Sequence, residues 1–509
     1  MEKIKEQLAR VGITKKEASP AVSLPSEDAL AEIRKVYDEA GQGHVFQFWE
    51  QLDKKQQSGL YDQACLIDPA HSNGIFTEAT KSSEEQEEAG ALQPLPKDTF
   101  TVLKDEGEAD IKCWYESGLQ LIAQGKVAAI VMAGGQGTRL GSSEPKGCFD
   151  IGLPSKKSLF QLQAERIARL RQLARRHAEL DALPPLYWYI MTSQPTRGAT
   201  MAFFQTHNYF GLDPDQVKFF DQGTLPCFDM DGKILLDRQD LIAESPDGNG
   251  GLYKALVTGG IVEHAEKHSV EHFHVYCVDN CLIKVADPLF IGWAADKDFQ
   301  IATKSVEKKD PSESVGLIVA QGSKPSVVEY SEIEESLTKE KDASGSLKYR
   351  AANIVQHYFN RTLIEFAAAW SMDLPHHVAK KKIVHVNANG ETEKPSSPNG
   401  IKLEQFVFDV FDHCSLEKFG CLEVSREDEF SPLKNPSGDD SPASSKRALM
   451  QQGARWIRAA GGVTEDDGSE NGAIGVEVSP LISYAGEGLS AHVEGERLLG
   501  QAYLERQKA

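Results

Sequence analysis

Short apolar runs alternate with segments of helical periodicity from Val127 to about residue 280. The runs "VAAIVM", "PLYWYIMTS", "VKFFDQG" and "HFHVYCVDN" have the length and composition of strands, whereas "TRGATMAFFQTHNYFG" and "GGLYKALVTGGIVEHAEKH" place apolar residues at helical spacing. Strands that alternate with helices are typical of βαβ units, whose parallel strands are covered by helices on both faces. We therefore predict an α/β fold class with a mixed, mostly parallel central sheet.

The rest of the chain departs from this pattern at both ends. Its 509 residues exceed the size of one simple domain, so two or three domains are expected. We predict a mostly helical accessory domain over residues 1–110, a central α/β domain over 111–405 and a smaller α+β domain over 406–509. The polar stretch "KSSEEQEEAGALQPLPKD" predicts a linker, and "GERLLGQAYLERQKA" predicts a final helix.

Composition and charge limit the partners of the chain. The formal net charge of −21 disfavours binding to nucleic acid, because phosphate backbones repel such a protein. No apolar run is long enough to span a membrane, and neither end shows a signal or lipidation motif, so we expect a cytoplasmic protein. The eight cysteines include no CxxC pair and predict reduced thiols.

A glycine-rich loop, "AGGQGTRLG", follows the strand that begins at Val127. It is neither a Walker A motif, which ends in Gly-Lys-Ser/Thr, nor a dinucleotide fingerprint, which needs glycine where Leu140 stands. Its glycines nevertheless let backbone N–H groups approach phosphate oxygens, and Arg139 and Lys146 add positive charge nearby. Taken alone, such a loop is more often a tight strand-to-helix turn with two surface cations.

A second glycine-rich stretch, "SPDGNGGLYKAL", begins at Ser245. It is either a plain turn that enters a helix, with Asn249 near the N-cap, or a floor on which a base or sugar lies against backbone. Gln222, in "FFDQGTLP", carries an amide that matches the donor and acceptor edge of uracil. A lone glutamine is more often a solvated loop residue.

Carboxylates stand at two further strand ends. Asp279, in "VYCVDN", suits Mg²⁺, which takes one or two carboxylates plus substrate phosphates, although a cap or turn would use the same residue. Glu329 and Tyr330, in "VVEYSEI", lie in a strand-like segment whose carboxylate either accepts sugar hydroxyls or points to solvent. The histidines of "HHVAKKK" and "EHFHVY" lack a set of metal-ligand companions. Because ligands of parallel sheets bind at the carboxyl ends of strands, the glycine loop, Gln222 and Asp279 predict one site.

The ordered motifs resemble those of the eukaryotic UDP-N-acetylhexosamine (UDP-N-acetylglucosamine) pyrophosphorylases. The resemblance rests on "MAGGQGTRLG", "PKG", "SPDGNGGLY", "VYCVDN", "VEYSEI", "NGIKLEQFVFD", "EDEFSPLKN" and "ISYAGEGL", and extends from about Cys113 to Leu489. It implies transfer of UMP from UTP to N-acetylglucosamine 1-phosphate, with release of pyrophosphate and with Mg²⁺ as cofactor, for amino-sugar, glycan and cell-wall chitin synthesis. It also implies a central, Rossmann-like nucleotidyltransferase domain with a smaller domain at each end.

The resemblance also implies roles for the residues whose motifs match. The nucleotide-binding residues are Met132, Ala133, Gly134, Gly135, Gln222, Gly248 and Asp279. The sugar-binding residues are Asn249, Glu329, Tyr330 and Asn353. The catalytic residues are Arg139, Lys146 and Lys402, and the metal ligand is Asp279. The segment "AANIV" departs from the family, which usually has glycine beside the asparagine that corresponds to Asn353.

These roles describe in-line attack of the sugar phosphate on the α-phosphorus of UTP, which needs alignment and charge neutralisation rather than a protein nucleophile. The alternatives are a UDP-glucose or broad UDP-sugar pyrophosphorylase, which "GGQGTRLG" disfavours, and a non-catalytic UDP-sugar-binding regulator, which the intact Lys146, Asp279 and Lys402 disfavour. The expected partners are the two small-molecule substrates, with no nucleic acid and no membrane, and the expected assembly is a monomer or weak homodimer. Cys148 is either a reactive thiol or a small buried hydrophobe.

Overall fold

A computed structural model of the chain describes residues 24–81, 91–330, 332–343, 345–371, 374–465 and 475–505. The chain packs as two compact units, each assembled from separate parts of the sequence. The larger unit takes residues 90–221, 259–366 and 411–509, and the smaller unit takes residues 1–89, 222–258 and 367–410. Residues 82–90, which hold half of the predicted linker, lie outside the described residues.

Over the described residues, the larger unit contains a sheet of eleven strands. The main order across this sheet is Phe100–Val102, Phe419–Val424, Ile301–Glu307, Ala351–Asn360, His272–Cys277, Val127–Met132, Tyr187–Thr192 and Val217–Asp221. Leu317–Gln321 pairs with Ala351–Asn360, and Lys324–Val328 and Leu92–Gln93 pair with Leu317–Gln321. Neighbours in the main order are parallel except on the two sides of Ala351–Asn360. The predicted mixed, mostly parallel sheet is confirmed.

The middle of this sheet is covered on both faces. Val127–Met132 and Tyr187–Thr192 are buried at every position. A continuous apolar run, rather than alternation, is what such a strand requires. The helices Leu159–His177 and Pro288–Asp296 contribute side chains such as Phe160 to the same core.

The helices of the larger unit connect these strands. Glu108–Ala123 has Gln124 as its C-cap residue, and Ser158 caps Leu159–His177 by accepting the N–H of Gln161. The other helices are Gln194–Thr206, Ile261–Lys267, Pro288–Asp296, Glu335–Thr338, Arg426–Glu429, Pro442–Ala459, Ser490–Val493 and Arg361–Trp370, which begins in this unit. None of the helices in the described residues is long and apolar enough to cross a membrane.

The smaller unit joins helices from the beginning of the chain to short strands from two later segments. Its helices are Glu27–Glu39, Lys54–Ala64, Pro69–Thr80 and Leu252–Thr258. Its strands pair as Gly400–Glu404 with both His377–Lys381 and Phe228–Asp229, Thr224–Pro226 with Glu244–Pro246, Leu236–Arg238 with Leu241–Ile242, and His385–Val386 with Thr392–Glu393. Its core packs Tyr37, Phe46 and Trp49 against Phe228 and Leu403.

This division differs from the three consecutive domains expected from the sequence. The N-terminal helices share a unit with residues 222–258 and 367–410, and the C-terminal residues 411–509 share a unit with the large sheet. Packing groups residues that are distant along the chain, whereas composition shifts mark only changes between sequence neighbours. The boundaries near residues 110 and 405 stay a prediction.

The C-terminal segment corrects another expectation. The predicted final helix is wrong over its described part, which forms the strands Arg497–Leu499 and Gln501–Leu504. These strands pair in parallel with Val463–Glu465 and Gly475–Val478, and Gly500 takes a left-handed φ of 58° between them. Pairing with distant strands therefore overrides the helical spacing of the segment. Residues 506–509 lie outside the described residues.

Candidate active site

The glycine loop leaves the sheet at its carboxyl edge. Val127–Met132 lies between His272–Cys277 and Tyr187–Thr192, and all three strands run in the same direction. The loop starts under fixed geometry, because the Ala133 N–H donates to the Met191 carbonyl at 2.8 Å and the Met132 carbonyl accepts the Val278 N–H at 3.2 Å. The sheet therefore fixes where the loop begins.

Two backbone donors of this loop are available to a ligand. Among the described residues, the N–H groups of Gly134 and Gly135 have no hydrogen-bond acceptor, whereas that of Ala133 is already used within the sheet. The carbonyls face inward, since Gly134 accepts the Ser193 hydroxyl at 2.7 Å and Gly135 accepts the Lys146 N–H at 3.2 Å. Successive backbone N–H groups without acceptors, whose own carbonyls are held by hydrogen bonds, form an arrangement that binds anions.

Two of the predicted cations lie along the same loop. Arg139 is exposed in a short 3₁₀ turn, Thr138–Leu140, which ends at Gly141 in a left-handed conformation with a φ of 77°. Lys146 begins a second 3₁₀ turn, Lys146–Cys148. A Cβ atom on Gly147 would come within 2.2 Å of the Phe160 ring, so only glycine lets this turn pack against Leu159–His177.

Lys146 and Asp279 form an ion pair at the carboxyl edge of the sheet. The Lys146 ammonium lies 3.0 Å from Asp279 Oδ2, and each side chain is 20% exposed. Over the described residues, Asp279 Oδ1 has no further partner. The structure thus brings together a lysine from the glycine loop and the predicted metal ligand, and solvent reaches both.

The turn that carries Asp279 is fastened by the segment "EDEFSPLKN". The Asp279 carbonyl accepts the Leu433 N–H at 3.0 Å. The Asn280 amide donates to the Glu429 carbonyl at 2.7 Å and accepts the Ser431 N–H at 3.0 Å. Because Asn280 is buried, these bonds hold the turn with little freedom.

A third cation near the pair had no role in the sequence prediction. Burial, together with the negative charge of Asp279, raises the pKa of the Cys277 thiol to about 12. The positive charges of Lys146 and Lys434 lower the same pKa. Lys434 directly follows Leu433, whose N–H donates to the Asp279 carbonyl at 3.0 Å, so it begins next to the turn that carries Asp279. Its sequence signal was the lysine of "SPLKN", a motif that marked the resemblance without receiving a function.

A buried ionic cluster lies behind the same turn. The Lys304 ammonium is 2.6 Å from Asp287 Oδ2 and 2.6 Å from Glu429 Oε2, and its side chain is 0% exposed. Burial alone raises the pKa of Asp287, but Lys304 and Lys284 together hold it below its usual value. The sequence signal for this cluster is a lysine in the middle of the strand Ile301–Glu307, for which no role was predicted.

The predicted sugar contacts of the larger unit meet at Gly316. Asn353 is buried, its N–H donates to the Gly316 carbonyl at 2.9 Å, and a Cβ on Gly316 would lie 2.8 Å from Glu329 Oε1. Glu329 follows the strand Lys324–Val328 rather than lying in it, and Tyr330 is exposed. The structure therefore brings Glu329 and Asn353 close to one glycine.

The departure from the family beside Asn353 coincides with a bulge. The pairing of Ile301–Glu307 with Ala351–Asn360 shifts register between Thr303 and Ser305. Val355 has a φ of 52°, a strained value for a β-branched residue, and its N–H donates to Asn353 Oδ1 at 2.9 Å. The hydrogen bond to the Val355 N–H fixes the Asn353 amide, and the strained φ lies at Val355, two residues after Asn353, rather than at a residue beside it.

The smaller unit carries the other predicted residues. Gly248 has a φ of 87°, and a Cβ there would lie 2.3 Å from the Gln405 carbonyl, so the position requires glycine. Asn249 Oδ1 accepts the Val407 N–H at 2.9 Å. Gln222 is half-buried directly after the strand Val217–Asp221. Lys402 lies on Gly400–Glu404 opposite Ala379, and among the described residues it forms no ion pair.

Cys148 and the histidine clusters have structural rather than chemical environments. Burial, with a smaller contribution from Glu144, raises the pKa of the Cys148 thiol to about 12, which favours the buried-hydrophobe interpretation. Burial lowers the pKa of His272 to about 4 and of His274 to about 3, so both are neutral. Over the described part of the chain, no three His, Cys, Asp or Glu residues form a metal cluster.

Comparison with known proteins agrees with this arrangement. The family model described as "UTP--glucose-1-phosphate uridylyltransferase" matches residues 75–473. A UDP-N-acetylglucosamine pyrophosphorylase from Saccharomyces cerevisiae is 46% identical over 476 residues, which cover 91% of this chain and 97% of the yeast protein. The human UDP-N-acetylhexosamine pyrophosphorylase-like protein 1 is 41% identical over 500 residues, which cover 94% of this chain and 97% of the human protein.

A solved structure extends the similarity to three dimensions. The uridine diphosphate N-acetylglucosamine pyrophosphorylase from Trypanosoma brucei, in complex with an inhibitor, aligns with a TM-score of 0.80 and 29% identity, covering 95% of this chain and all of that one. The loop, the sheet edge and the ordered motifs thus lie on a shared framework. The chain belongs to the UTP–glucose-1-phosphate uridylyltransferase family and, within it, to the UDP-N-acetylglucosamine pyrophosphorylases.

Proposed function

We propose that this protein transfers UMP from UTP to N-acetylglucosamine 1-phosphate and releases pyrophosphate. The observation that carries the proposal is the Lys146–Asp279 pair at the sheet edge, beside the two free N–H groups of Gly134 and Gly135. The names of the relatives support the same reaction, since the yeast protein is called a UDP-N-acetylglucosamine pyrophosphorylase. The substrates are small molecules.

The reaction needs charge neutralisation more than covalent chemistry. As the sugar phosphate attacks the α-phosphorus, negative charge builds on that phosphate and on the leaving pyrophosphate. The N–H groups of Gly134 and Gly135 would bind phosphate oxygens, and Lys146 and Arg139 would offset the charge from the same loop. We assign Lys434 to the same task, because it directly follows Leu433, whose N–H donates to the Asp279 carbonyl at 3.0 Å.

The residues present fit one Mg²⁺ ion. Asp279 offers a partly exposed carboxylate whose Oδ1 has no partner among the described residues, and its turn is held by Asn280 and Leu433. Mg²⁺ binds through one or two carboxylates together with substrate phosphates, so a multi-residue metal cluster is not required. When bound, the ion would supply positive charge at the α-phosphate. Lys146 would then exchange its contact with Asp279 for a contact with phosphate.

The remaining residues would select the two substrates. Glu329 and Asn353, which lie close to Gly316, are the candidates for sugar hydroxyls and the acetamido group, and Tyr330 is exposed next to them. In the smaller unit, Gln222 and Gly248 are the candidates for uracil, Asn249 for the sugar and Lys402 for phosphate. These roles rest on motif matches. The side chains of Gln222, Asn249, Glu329 and Lys402 are half-buried, that of Tyr330 is exposed, and that of Asn353 is buried.

Pyrophosphate release tests this function directly. The protein would be mixed with UTP, Mg²⁺ and one sugar phosphate at a time, using the 1-phosphates of N-acetylglucosamine, N-acetylgalactosamine and glucose. We expect N-acetylglucosamine 1-phosphate to be used and glucose 1-phosphate to be used poorly. Preference for glucose 1-phosphate would favour a UDP-glucose pyrophosphorylase, whereas nucleotide-sugar binding without turnover would favour a regulator.

A further inference from the structure

Asp247 is a buried carboxylate that the proposed chemistry does not use. Its residue is 6% exposed, and over the described residues its Oδ1 has no hydrogen-bond partner. It lies in "SPDGNGG", directly before Gly248 and Asn249. A buried polar atom without a partner is unfavourable, so such a group in a binding loop needs an explanation.

Two glycines make room for this side chain. A Cβ atom on Gly223 would come within 2.4 Å of Asp247 Oδ2, and a Cβ atom on Gly251 would come within 2.0 Å of Oδ1. Gly223 follows Gln222, and Gly251 follows the loop that holds Gly248. The carboxylate therefore lies between the two segments that carry the candidate uracil contacts.

The backbone of Asp247 joins the same segments. Its N–H donates to the Gly223 carbonyl at 3.2 Å, and its carbonyl accepts the Gln405 N–H at 2.8 Å. The Gln405 carbonyl in turn accepts the Gly250 N–H at 2.8 Å. Three parts of the chain thus meet at this residue, and removal of its side chain would leave a gap between two glycines.

We propose that Asp247 is a positioning residue for base selection, which acts through Gly223 on Gln222. The inference rests on the proposed function, since it assigns Gln222 to uracil. The carboxylate holds Gly223 at a fixed distance from Gly251, so the Gln222 amide and the Gly248 backbone keep the spacing that a uracil edge requires. Without this spacer, UTP and CTP would be distinguished less well.

The charge state of Asp247 gives the proposal a second readout. Burial raises the pKa of Asp247 to about 6, and the opposing influences are Lys254 on the helix Leu252–Thr258 and the N–H groups of Asp247 and Gly223. The neighbouring Gln222, Gly223 and Gln405 carry no titratable group. Because the Gly223 N–H favours the ionised form, protonation below about pH 6 weakens the attraction between the carboxylate and that N–H.

The sign for stability is opposite to that for function. The folded pKa lies above the ordinary value of 3.8, so the fold favours the protonated form. The contribution of Asp247 to stability is therefore lost as the pH rises through about 6. A carboxylate that disfavours the fold at neutral pH is consistent with a role in binding.

The test compares Asp247→Asn and Asp247→Ala with the unmodified protein. KM and kcat for UTP and for CTP would be measured between about pH 5 and pH 8. We expect Asp247→Ala to lower the UTP-over-CTP preference about tenfold, mainly through KM. Asp247→Asn keeps the shape, so it should retain most of the preference but lose the rise in KM below pH 6. The triphosphate of UTP titrates equally in assays of both proteins. The ratio of the KM values of Asp247→Asn and the unmodified protein therefore reports the protonation of Asp247 alone.

A double-mutant cycle tests whether Asp247 acts through Gln222. If it does, Asp247→Ala should cause no further loss of preference in a Gln222→Ala background. Fully additive losses, an unchanged UTP-over-CTP ratio in Asp247→Ala, or identical pH profiles for Asp247→Asn and the unmodified protein would overturn the proposal. Failure of the proposed function is separate, because it would appear as absence of pyrophosphate release from the unmodified protein. If a variant folds but turns over too slowly for kinetic measurement, calorimetric titration with UTP and with CTP measures the same preference as a ratio of binding affinities.

Discussion

Two lysine–carboxylate groups of the larger unit are connected through the "VDN" turn and differ in exposure. Lys146 and Asp279 meet at 3.0 Å with 20% of each side chain exposed, and among the described residues neither has another ionic partner. Lys304 is fully buried between Asp287 and Glu429, at 2.6 Å from each. Asn280 connects the two groups, because its amide donates to the Glu429 carbonyl.

This difference in solvent exposure means that the Lys146–Asp279 ion pair can exchange partners, whereas the buried Lys304 cluster cannot. An ion pair that solvent reaches gains little free energy, so a phosphate or a metal ion can replace either partner. A buried cluster loses several kcal/mol when one partner is removed, because the remaining charge is left without compensation. We infer that the buried cluster holds the turn in place and that the partly exposed pair of Lys146 and Asp279 performs the chemistry.

Removal of the buried lysine should have the largest effect on stability. Lys304→Ala removes the ammonium that contacts Asp287 and leaves Glu429 with Lys284 at 3.0 Å as its remaining cation, and we expect the free energy of unfolding to fall by about 3–5 kcal/mol. Chemical denaturation measures this change. The matched control is Lys126→Ala, which breaks a part-exposed pair with Glu271 and should cost less than about 1 kcal/mol. Equal losses in the two variants would remove the distinction between the groups.

Removal of the exposed lysine should have the opposite profile. Lys146→Ala should lower kcat/KM by about 10²-fold or more, because it removes a charge aimed at the phosphates. The free energy of unfolding should change by less than about 1 kcal/mol. Lys126 stands before the opposite end of the strand Val127–Met132, so Lys126→Ala should turn over normally. Near-normal turnover of Lys146→Ala would show that the loop lysine is not part of the site.

Two glycines of the loop sharpen the comparison on a smaller scale. Gly147→Ala forces a Cβ against Phe160 at 2.2 Å and should destabilise the fold by about 1–3 kcal/mol. Gly135→Ala meets nothing within 4 Å, so it should leave stability nearly unchanged and reduce activity by crowding the phosphate. Thermal unfolding and pyrophosphate release separate the two effects. A stable Gly147→Ala protein would show that the turn is not packed as described.

The smallest effect is expected at Cys148. Its pKa of about 12 leaves almost no thiolate near pH 7.5, so alkylation should be slow and activity should persist while the exposed Cys113 reacts first. Mass spectrometry of the labelled peptides measures the alkylation of Cys148 and Cys113, and a parallel assay measures the activity that remains. Rapid inactivation with labelling at Cys148, prevented by UTP, would place this thiol in the open part of the site.

Local patterns in the sequence predict the framework but not the long-range contacts. The apolar run before Gly134 and the strand before Asp279 can be predicted from the sequence, because a parallel strand that is covered on both faces must be apolar throughout. The contact of Gly147 with Phe160 and the clustering of Lys304 with Glu429 depend on residues far apart in the chain, which no local period encodes. For the same reason, the predicted final helix is wrong, since Gln501–Leu504 pairs with Gly475–Val478.

The sequence also named candidate residues without showing how each is held. The sequence predicts Asp279 as a carboxylate at a strand end, whereas its ion pair with Lys146 is seen only in the three-dimensional structure. Asp247 gave no signal, because an aspartate in a glycine-rich stretch usually belongs to a turn. Only its burial between Gly223 and Gly251 distinguishes it.

Titration of UTP with and without Mg²⁺, beside pyrophosphate release, tests the central claim for Asp279→Asn. If the exposed pair performs the chemistry and Asp279 is the metal ligand, the variant should lose nearly all turnover while it still binds UTP. Its UTP binding without Mg²⁺ should be at least as tight as that of the unmodified protein, because the substitution removes an anion that repels the triphosphate. Full Mg²⁺-dependent activity of Asp279→Asn would contradict the account and leave Asp279 as a residue of the turn alone.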